Sequence, residues 1–287
     1  MNISICITTF KETEESVNKL LDSLKHQSVK ADEIILIDAK DYNNCSRAKG
    51  RNIAVKKAKN EIIVMTDVGC IPKHDWLEKI TKPFSKSHPR GVIDVVAGFY
   101  SMTYKNNFEK AERRFLGTDP KDFDNNFLPS TRSIAFTKAV WKKVGGFSED
   151  LGGTAEDTVF NAKLLNNNVN IVREKKAIVE WGMPKSIFDF YFKIFNYTKG
   201  DMKSKILFFP GKGFTSHNIH SLFVLFRSLF GFTLFILSII LYLPLPYFLI
   251  YLFAYLLFAF SKVGLWGFII QPTADLAVIM GLLNGIF

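Results

Sequence analysis

The first seventy residues alternate between two hydrophobic rhythms. Ile3-Ser4-Ile5-Cys6-Ile7-Thr8 reads as a strand, and Val17, Leu20, Leu21 and Leu24 then fall at i, i+3, i+4 and i+7 on one helix face. The continuous apolar run Ile34-Ile35-Leu36-Ile37, closed by Asp38, has the form of a parallel strand buried on both faces. Ala48, Ile53, Ala54, Val55 and Ala58 predict a second helix, and residues 62–67 a third strand. This βαβαβ order is half of a doubly wound sheet, whose ligands bind outside the carboxyl ends of the strands. Thr8, Asp38 and Asp67 all stand at such ends. Farther on, the pattern predicts a strand over 92–100 and a short strand over 133–136. The latter runs into a helix over 138–144, closed by Gly145-Gly146. A further helix is expected over 156–165 and two strands over 171–172 and 177–181. Residues 186–198 are aromatic and amphipathic, through Ile187, Phe190, Tyr191, Ile194 and Phe195, and suit the surface of a membrane or of the domain.

The rhythm then stops. Residues 228–261 carry no charge, and residues 221–287 hold only Arg227, Lys262 and Asp275, so 35 of the 37 basic and 26 of the 27 acidic side chains precede them. A bilayer span takes roughly 20 apolar residues. Two transmembrane helices are expected over 220–243 and 246–261, separated where Pro244 and Pro246 break the helix, with an interfacial or third segment over 264–287. Arg227 can snorkel from the first span. The chain therefore divides into a soluble domain over 1–205, a basic connector over 206–220 and a membrane region over 221–287. Met1-Asn2-Ile3 leads straight into a strand, so no signal peptide is expected. Lys199, Lys203, Lys205 and Lys212 precede the tail, which by the positive-inside rule puts the soluble domain in the cytoplasm, beside anionic headgroups. Two or three hydrophobic segments are too few to line a transport path, which argues against a channel or transporter. Cys6, Cys45 and Cys70 are odd in number and lack metal spacing, as reduced cytosolic thiols would.

The three strand-end residues outline a nucleotide-sized crevice. Neither G-x-G-x-x-G nor a Walker loop follows the first strand. The phosphates of a nucleotide therefore need another counter-charge, either a divalent cation or basic side chains such as Arg47, Lys49 and Arg51. A second constellation is GGFSEDLGGTAEDTVF, residues 145–160. Its Glu156-Asp157 pair opens a helix, where the dipole favours acids. Adjacent carboxylates facing a cleft would equally suit a general base acting on an acceptor hydroxyl.

ICITTFKE, EIILIDAKD, EIIVMTDVGCIPKHDWLE and KVGGFSEDLGGTAEDTVFNAKL, in this order and spacing, resemble the family 2 inverting glycosyltransferases over about residues 1–200. The resemblance implies an α/β GT-A fold with a Rossmann-like, mostly parallel sheet. It also implies a nucleotide-diphosphate sugar donor, a divalent cation (Mg²⁺ or Mn²⁺), and single-displacement transfer with inversion. Thr8, Phe10 and Glu12 match the loop after the first strand, on the donor side. Asp38 matches the first acid of the usual Asp-Asp pair, with Ala39 in place of the second. Arg51 and Asn52 match the Arg-Asn beneath the donor. Asp67 matches the first residue of the metal-binding Asp-x-Asp motif, Gly69 replaces the second acid, and Pro72 and Trp76 complete an Asp-x-Gly-Cys variant. Asp157 matches the catalytic base, preceded by Glu156. Glu180 and Trp181 stand where a further His ligand often lies, Trp181 on the acceptor side. The Gln-x-x-Arg-Trp motif of processive synthases is absent. FKIFNYTKGDMKS resembles the Tyr-x-x-Gly-Asp ending of single-transfer members, which places Tyr197 and Asp201 at the acceptor, although Gly200 alone suits a helix C-cap. The expectation is a membrane-anchored, single-transfer glycosyltransferase acting on a lipid-linked or glycan acceptor, with no nucleic-acid partner. The replaced acids favour the competing expectation, a non-catalytic sugar-nucleotide-binding or scaffold subunit.

Overall fold

Strand and helix alternate through the N-terminal region of a computed structural model that describes residues 1–85, 92–151, 155–209, 216–240 and 245–286. Residues 152–154 of the acidic loop, Lys212 in the connector and Pro244 between the expected spans lie outside the described residues. Strand β1 (Ile3–Thr9), helix α1 (Glu14–Lys25), β2 (Glu33–Asp38), α2 (Arg47–Lys57) and β3 (Ile62–Met65) form the expected unit. There follow β4 (Cys70–Pro72), α3 (Trp76–Thr81), β5 (Val95–Thr103), α4 (Asn107–Leu116), β6 (Ile134–Thr137), α5 (Lys138–Lys143), α6 (Glu156–Asn166) and β7 (Ile171–Gly182). Four helices close the chain: α7 (Ile187–Lys203), α8 (Ser216–Ile240), α9 (Leu245–Val263) and α10 (Gly267–Ile286).

Seven strands make one mixed sheet in the order β2-β1-β3-β6-β5-β7-β4. Its N-terminal half is parallel, as is the β5–β7 pair. β6 runs antiparallel to both β3 and β5, and β4 antiparallel to β7. Successive β3 side chains serve opposite faces: Ile63 and Met65 join Phe136, Phe147 and Phe160 in one core, while Ile62 and Val64 join Trp76, Leu77 and Ile80 in the other. β2 corrects one expectation. It is the edge strand, and Ile34 and Leu36 are 42% and 40% exposed rather than covered on both faces. Residues 171–172 and 177–181 are one strand, not two, because the chain pairs with β5 through Glu174 and again from Ile178, with Lys175 to Ala177 taken up in a register shift at Gly98/Phe99.

The chain forms two compact units, one of Met1–Thr103 and Thr118–Gly182, the other containing Tyr104–Gly117 and helices α7 to α10. In the second unit α10 packs on α7, with Phe190, Ile270 and Ala274 buried together and Leu207, Val224, Val278 and Leu282 in a further cluster. Gly200 lies inside α7, whose C-cap is Ser204, so it does not end the helix. Pro246 does not break α9 either. It sits in the helix's first turn, where a missing N–H leaves no bond unmade. The segments His220–Ile240 and Leu245–Ile286 are long and apolar enough to cross a membrane, and only 11% and 6% of their most apolar windows is buried inside the protein. Core helices of a soluble protein would be mostly covered.

Candidate active site

All four residues of β3 are buried, so the first partly exposed position lies just past its carboxyl end, where Thr66 is still covered and the Asp67 side chain is 32% exposed. Helix α2, capped by Ser46, carries Arg51 towards that end, and α6 opens with Glu156. Arg51, only 5% exposed, joins the two acids. Its Nη2 donates to Asp67 Oδ1 at 2.8 Å and its Nη1 to Glu156 Oε1 at 2.5 Å. Thr131 Oγ1 donates to the other Asp67 oxygen at 3.0 Å, and the Phe147 ring lies 5.8 Å from the guanidinium. Asn52 fastens the acidic loop: Nδ2 donates to Phe147 O (2.8 Å) and Glu149 Oε1 (2.7 Å), while Oδ1 accepts from Phe147 N (3.0 Å) and Trp141 Nε1 (3.2 Å). Adjacent residues on one helix thus tie the strand-end acid to a loop about a hundred residues away.

The carboxylates are not equivalent. Burial, reinforced by the neighbouring Glu156 charge, pushes the Asp157 carboxyl up to about 6, against the pull of Arg132 and Arg51. Burial also acts to raise Asp67, but the Arg51 and Arg132 guanidinium groups outweigh it and hold Asp67 below the usual carboxylate range. Environments that move two acids apart are what a proton acceptor beside a fixed charge requires. Ala155, immediately before this pair, has φ 66°, a left-handed conformation that costs an L-residue roughly 1–2 kcal/mol. The strain falls at the entrance to the acid pair, where such outliers tend to be functional.

The remaining expected residues divide by what they do. Thr8 Oγ1 is buried without a hydrogen-bond partner among the described residues. Glu12 holds the donor loop itself: it accepts from Phe10 N (2.6 Å) and Lys11 N (3.0 Å), and from Arg47 Nη2 (2.7 Å), which also lies 5.8 Å from the Phe10 ring. Asp38 caps the turn Ala39–Asp41 by accepting from Lys40 N at 3.0 Å, and the small Ala39 is buried. Gly69 has φ 92° with open space around it, so the turn into β4, not crowding, accounts for the glycine where an acid is usual. Glu180 lies 3.7 Å from Lys73, and Trp181 carries the Arg132 guanidinium 4.0 Å from its ring. Tyr197 and Asp201 belong to α7 in the second unit. Thr131 and Arg132 escaped the sequence reading. Their only signal is a hydroxyl-rich run with one cation, Ser130-Thr131-Arg132-Ser133, ahead of an apolar strand.

Among the described residues, no three His, Cys, Asp or Glu side chains cluster as a metal cage. The donor set fits a cation through Asp67 alone. Arg51 and Thr131 each take one lone pair, leaving about half of the carboxylate's four acceptor sites on a partly exposed side chain.

Residues 5–198 match the model of a family described as glycosyltransferase like family 2. The chain belongs to that family. Its glycosyltransferase-like region holds the whole Arg51–Asp67–Glu156–Asp157 cluster, and the match ends within α7, before α8 to α10. No curated protein matches the chain by sequence. Among solved structures, Staphylococcus aureus TarS 1-349 is 20% identical with a TM-score of 0.50, over 70% of this chain and 66% of that one. A longer S. aureus TarS is 19% identical with a TM-score of 0.50, covering 70% of this chain and 40% of that one. S. aureus TarS 1-349 in complex with UDP-GlcNAc is 18% identical with a TM-score of 0.50, over 70% and 67%. The chain thus spans less than two thirds of the first two. At these identities the shared property is the fold, the mixed α/β sheet of GT-A-like glycosyltransferases.

Proposed function

We propose that this family 2 member is a membrane-anchored inverting glycosyltransferase. It moves one sugar from a nucleotide-diphosphate sugar to a hydroxyl of a lipid-linked or membrane-proximal acceptor at the cytoplasmic face. The observation that carries the proposal is the pairing of a raised acid, Asp157, with a depressed acid, Asp67, around one buried arginine beside the carboxyl end of β3. Asp157 takes the proton of the acceptor hydroxyl as its oxygen attacks the anomeric carbon from the side opposite the diphosphate. The bond from that carbon to the diphosphate oxygen breaks, the electron pair leaves with the nucleotide, and the configuration inverts. Asp67 would hold a divalent cation (Mg²⁺ or Mn²⁺), which when bound would supply counter-charge to the leaving diphosphate. Arg51 keeps Asp67 ionised, and Glu156 holds Arg51. Trp181 is assigned to the acceptor side of the first unit, and Tyr197 and Asp201 to the acceptor through α7.

Apolar helices that the protein itself barely covers support the anchor, and the fold neighbour solved with UDP-GlcNAc makes uridine diphosphate sugars the first donors to try. The test is release of nucleotide from a panel of nucleotide sugars by detergent-solubilised protein, with a polyprenyl-linked acceptor and with or without chelator. Transfer with inverted configuration that chelator suppresses is expected. Donor binding without turnover on any acceptor would favour the non-catalytic subunit instead.

A further inference from the structure

The three formal charges of residues 221–287, Arg227, Lys262 and Asp275, meet in one network. Arg227 of α8 turns to α10 instead of snorkelling: its Nη2 donates to Asp275 Oδ1 at 2.6 Å, and its side chain is only 11% exposed. Gln271 Nε2 donates to the same oxygen at 2.8 Å, and the Tyr255 hydroxyl of α9 to Oδ2 at 2.8 Å. Lys262 Nζ donates in turn to Gln271 Oε1 at 3.2 Å. All of these residues belong to the second unit. Ionisable side chains within membrane helices are costly, so their presence points to a function.

The network does not balance its own charge. Asp275 offsets one of two cations, and Lys262 reaches it only through the neutral Gln271 amide, so one positive charge is in surplus. Arg227 Nε is buried with no hydrogen-bond partner among the described residues. Lys262 stands in the last turn of α9, and Asp275 lies eight residues into α10, ~12 Å along the helix. Arg227, Tyr255 and Asp275 also line a groove of about 390 Å³ between α8, α9 and α10, continued by Phe232, Phe235, Phe248, Leu252 and Leu276. Tyr251 braces it: its hydroxyl donates to Arg227 O at 3.0 Å, and its ring leaves no room for a Cβ on Gly231. Phe232 is 63% and Leu276 53% exposed, so the groove opens outward, where a bilayer would present hydrocarbon. Its volume is near the lower end of the roughly 300–1,000 Å³ of ligand pockets, which suits one hydrocarbon chain and not a whole lipid.

We infer that this groove binds an anionic phospholipid, one chain along the aromatic wall and the phosphodiester on Arg227, where it balances the surplus charge. The inference rests on the reading of these helices as membrane spans. A phosphodiester carries a single negative charge, which matches the single surplus cation. Basic pockets between spanning helices favour such head groups, and a guanidinium pairs with phosphate oxygens through charge-assisted hydrogen bonds. The source of the ligand is the bilayer itself, because the groove opens among apolar side chains.

The test uses the full chain in detergent micelles doped with phosphatidylglycerol, phosphatidylcholine or a polyprenyl phosphate, with bound lipid counted by native mass spectrometry. The parent should retain phosphatidylglycerol over phosphatidylcholine by about 10-fold, as one charge-assisted contact implies. Lys262→Gln, which removes the surplus charge, should abolish that preference. Leu276→Trp, at an exposed position on the groove, should weaken retention of phosphatidylglycerol several-fold, and it carries the test if Lys262→Gln does not fold. Equal retention of the two phospholipids by the parent, a preference that survives in Lys262→Gln, or unchanged retention in Leu276→Trp overturns the inference and leaves the membrane anchor standing. Displacement of phosphatidylglycerol by an equal concentration of polyprenyl phosphate overturns the phospholipid as the occupant. A parent that is monodisperse without detergent and retains no lipid overturns both the inference and the membrane reading.

Discussion

At the scale of single residues, Asp157 and Asp67 make opposite demands on a substitution. Asp157→Asn keeps the shape but cannot accept a proton, so kcat should fall about 10²–10⁴-fold while donor affinity holds, as read by nucleotide release and calorimetry. The sign of the pH dependence follows from the raised carboxyl: below about 6 it carries its proton and cannot serve as base, so kcat/KM should climb as pH rises through about 6 and then level. A profile without that rise would retire Asp157 as the base. Asp67→Asn should abolish the Mg²⁺-dependent part of UDP binding. It should also lower the thermal midpoint, because it leaves buried Arg51 with Glu156 alone. Breaking a buried pair costs about 3–5 kcal/mol, and the partial exposure of Asp67 places the variant below that range. Unchanged cation dependence would move the ion away from Asp67. Position pointed to Asp67 at a strand end and Asp157 at a helix start, and the family resemblance to Arg51 and Asn52. That Glu12 ties Arg47 to its loop and Glu156 holds Arg51 was not legible, since these partners lie 35 and 105 residues away.

Among elements, the packing of α10 on α7 turns on two glycines a helical turn apart. A Cβ at Gly281 would come within 2.7 Å of Phe195 O, and one at Gly285 within 2.5 Å of the Met202 Cβ. Small residues four apart let helices approach closely where a membrane offers little hydrophobic drive. Gly281→Leu should therefore lower the midpoint of thermal unfolding in detergent by several degrees. Gly182→Ala, with nothing within 4 Å, should not. Equal midpoints would mean that α10 is not held by this contact. Sequence periodicity located the long elements and missed β4, α3 and α4, which are too short or too polar to show a rhythm. It split β7 because Glu174, Lys175 and Lys176 interrupt the apolar run, although the strand stays paired to β5 on either side of them.

Over the whole molecule, the charge-poor tail and the exposed phenylalanines of α8 and α9 support a membrane anchor, yet the tail also covers part of the protein. Deleting residues 221–287 removes Ile270, Ala274, Val278 and Leu282, which pack against Phe190, Ile194 and Leu207. The shortened chain is therefore expected to need detergent and to sediment as aggregates without it, rather than to emerge as a well-behaved soluble domain. A monodisperse soluble species in analytical ultracentrifugation would show that α7 finds other cover.

What the sequence determined by itself was local: the 2.0 and 3.6 rhythms of the N-terminal unit, acids at strand ends, and a long apolar tail nearly free of charge. Each is a property of neighbouring residues and survives without knowledge of the fold. Tertiary structure decided the rest. Insertion of β6 antiparallel between β3 and β5 brings Thr131 and Arg132 to Asp67. The fold also leaves β2 as an edge, pairs Arg51 with two acids at once, and assigns residues 104–117 to the unit of the tail helices. These outcomes depend on which distant surfaces bury one another and which charges share a cavity, and no window along the chain contains both partners.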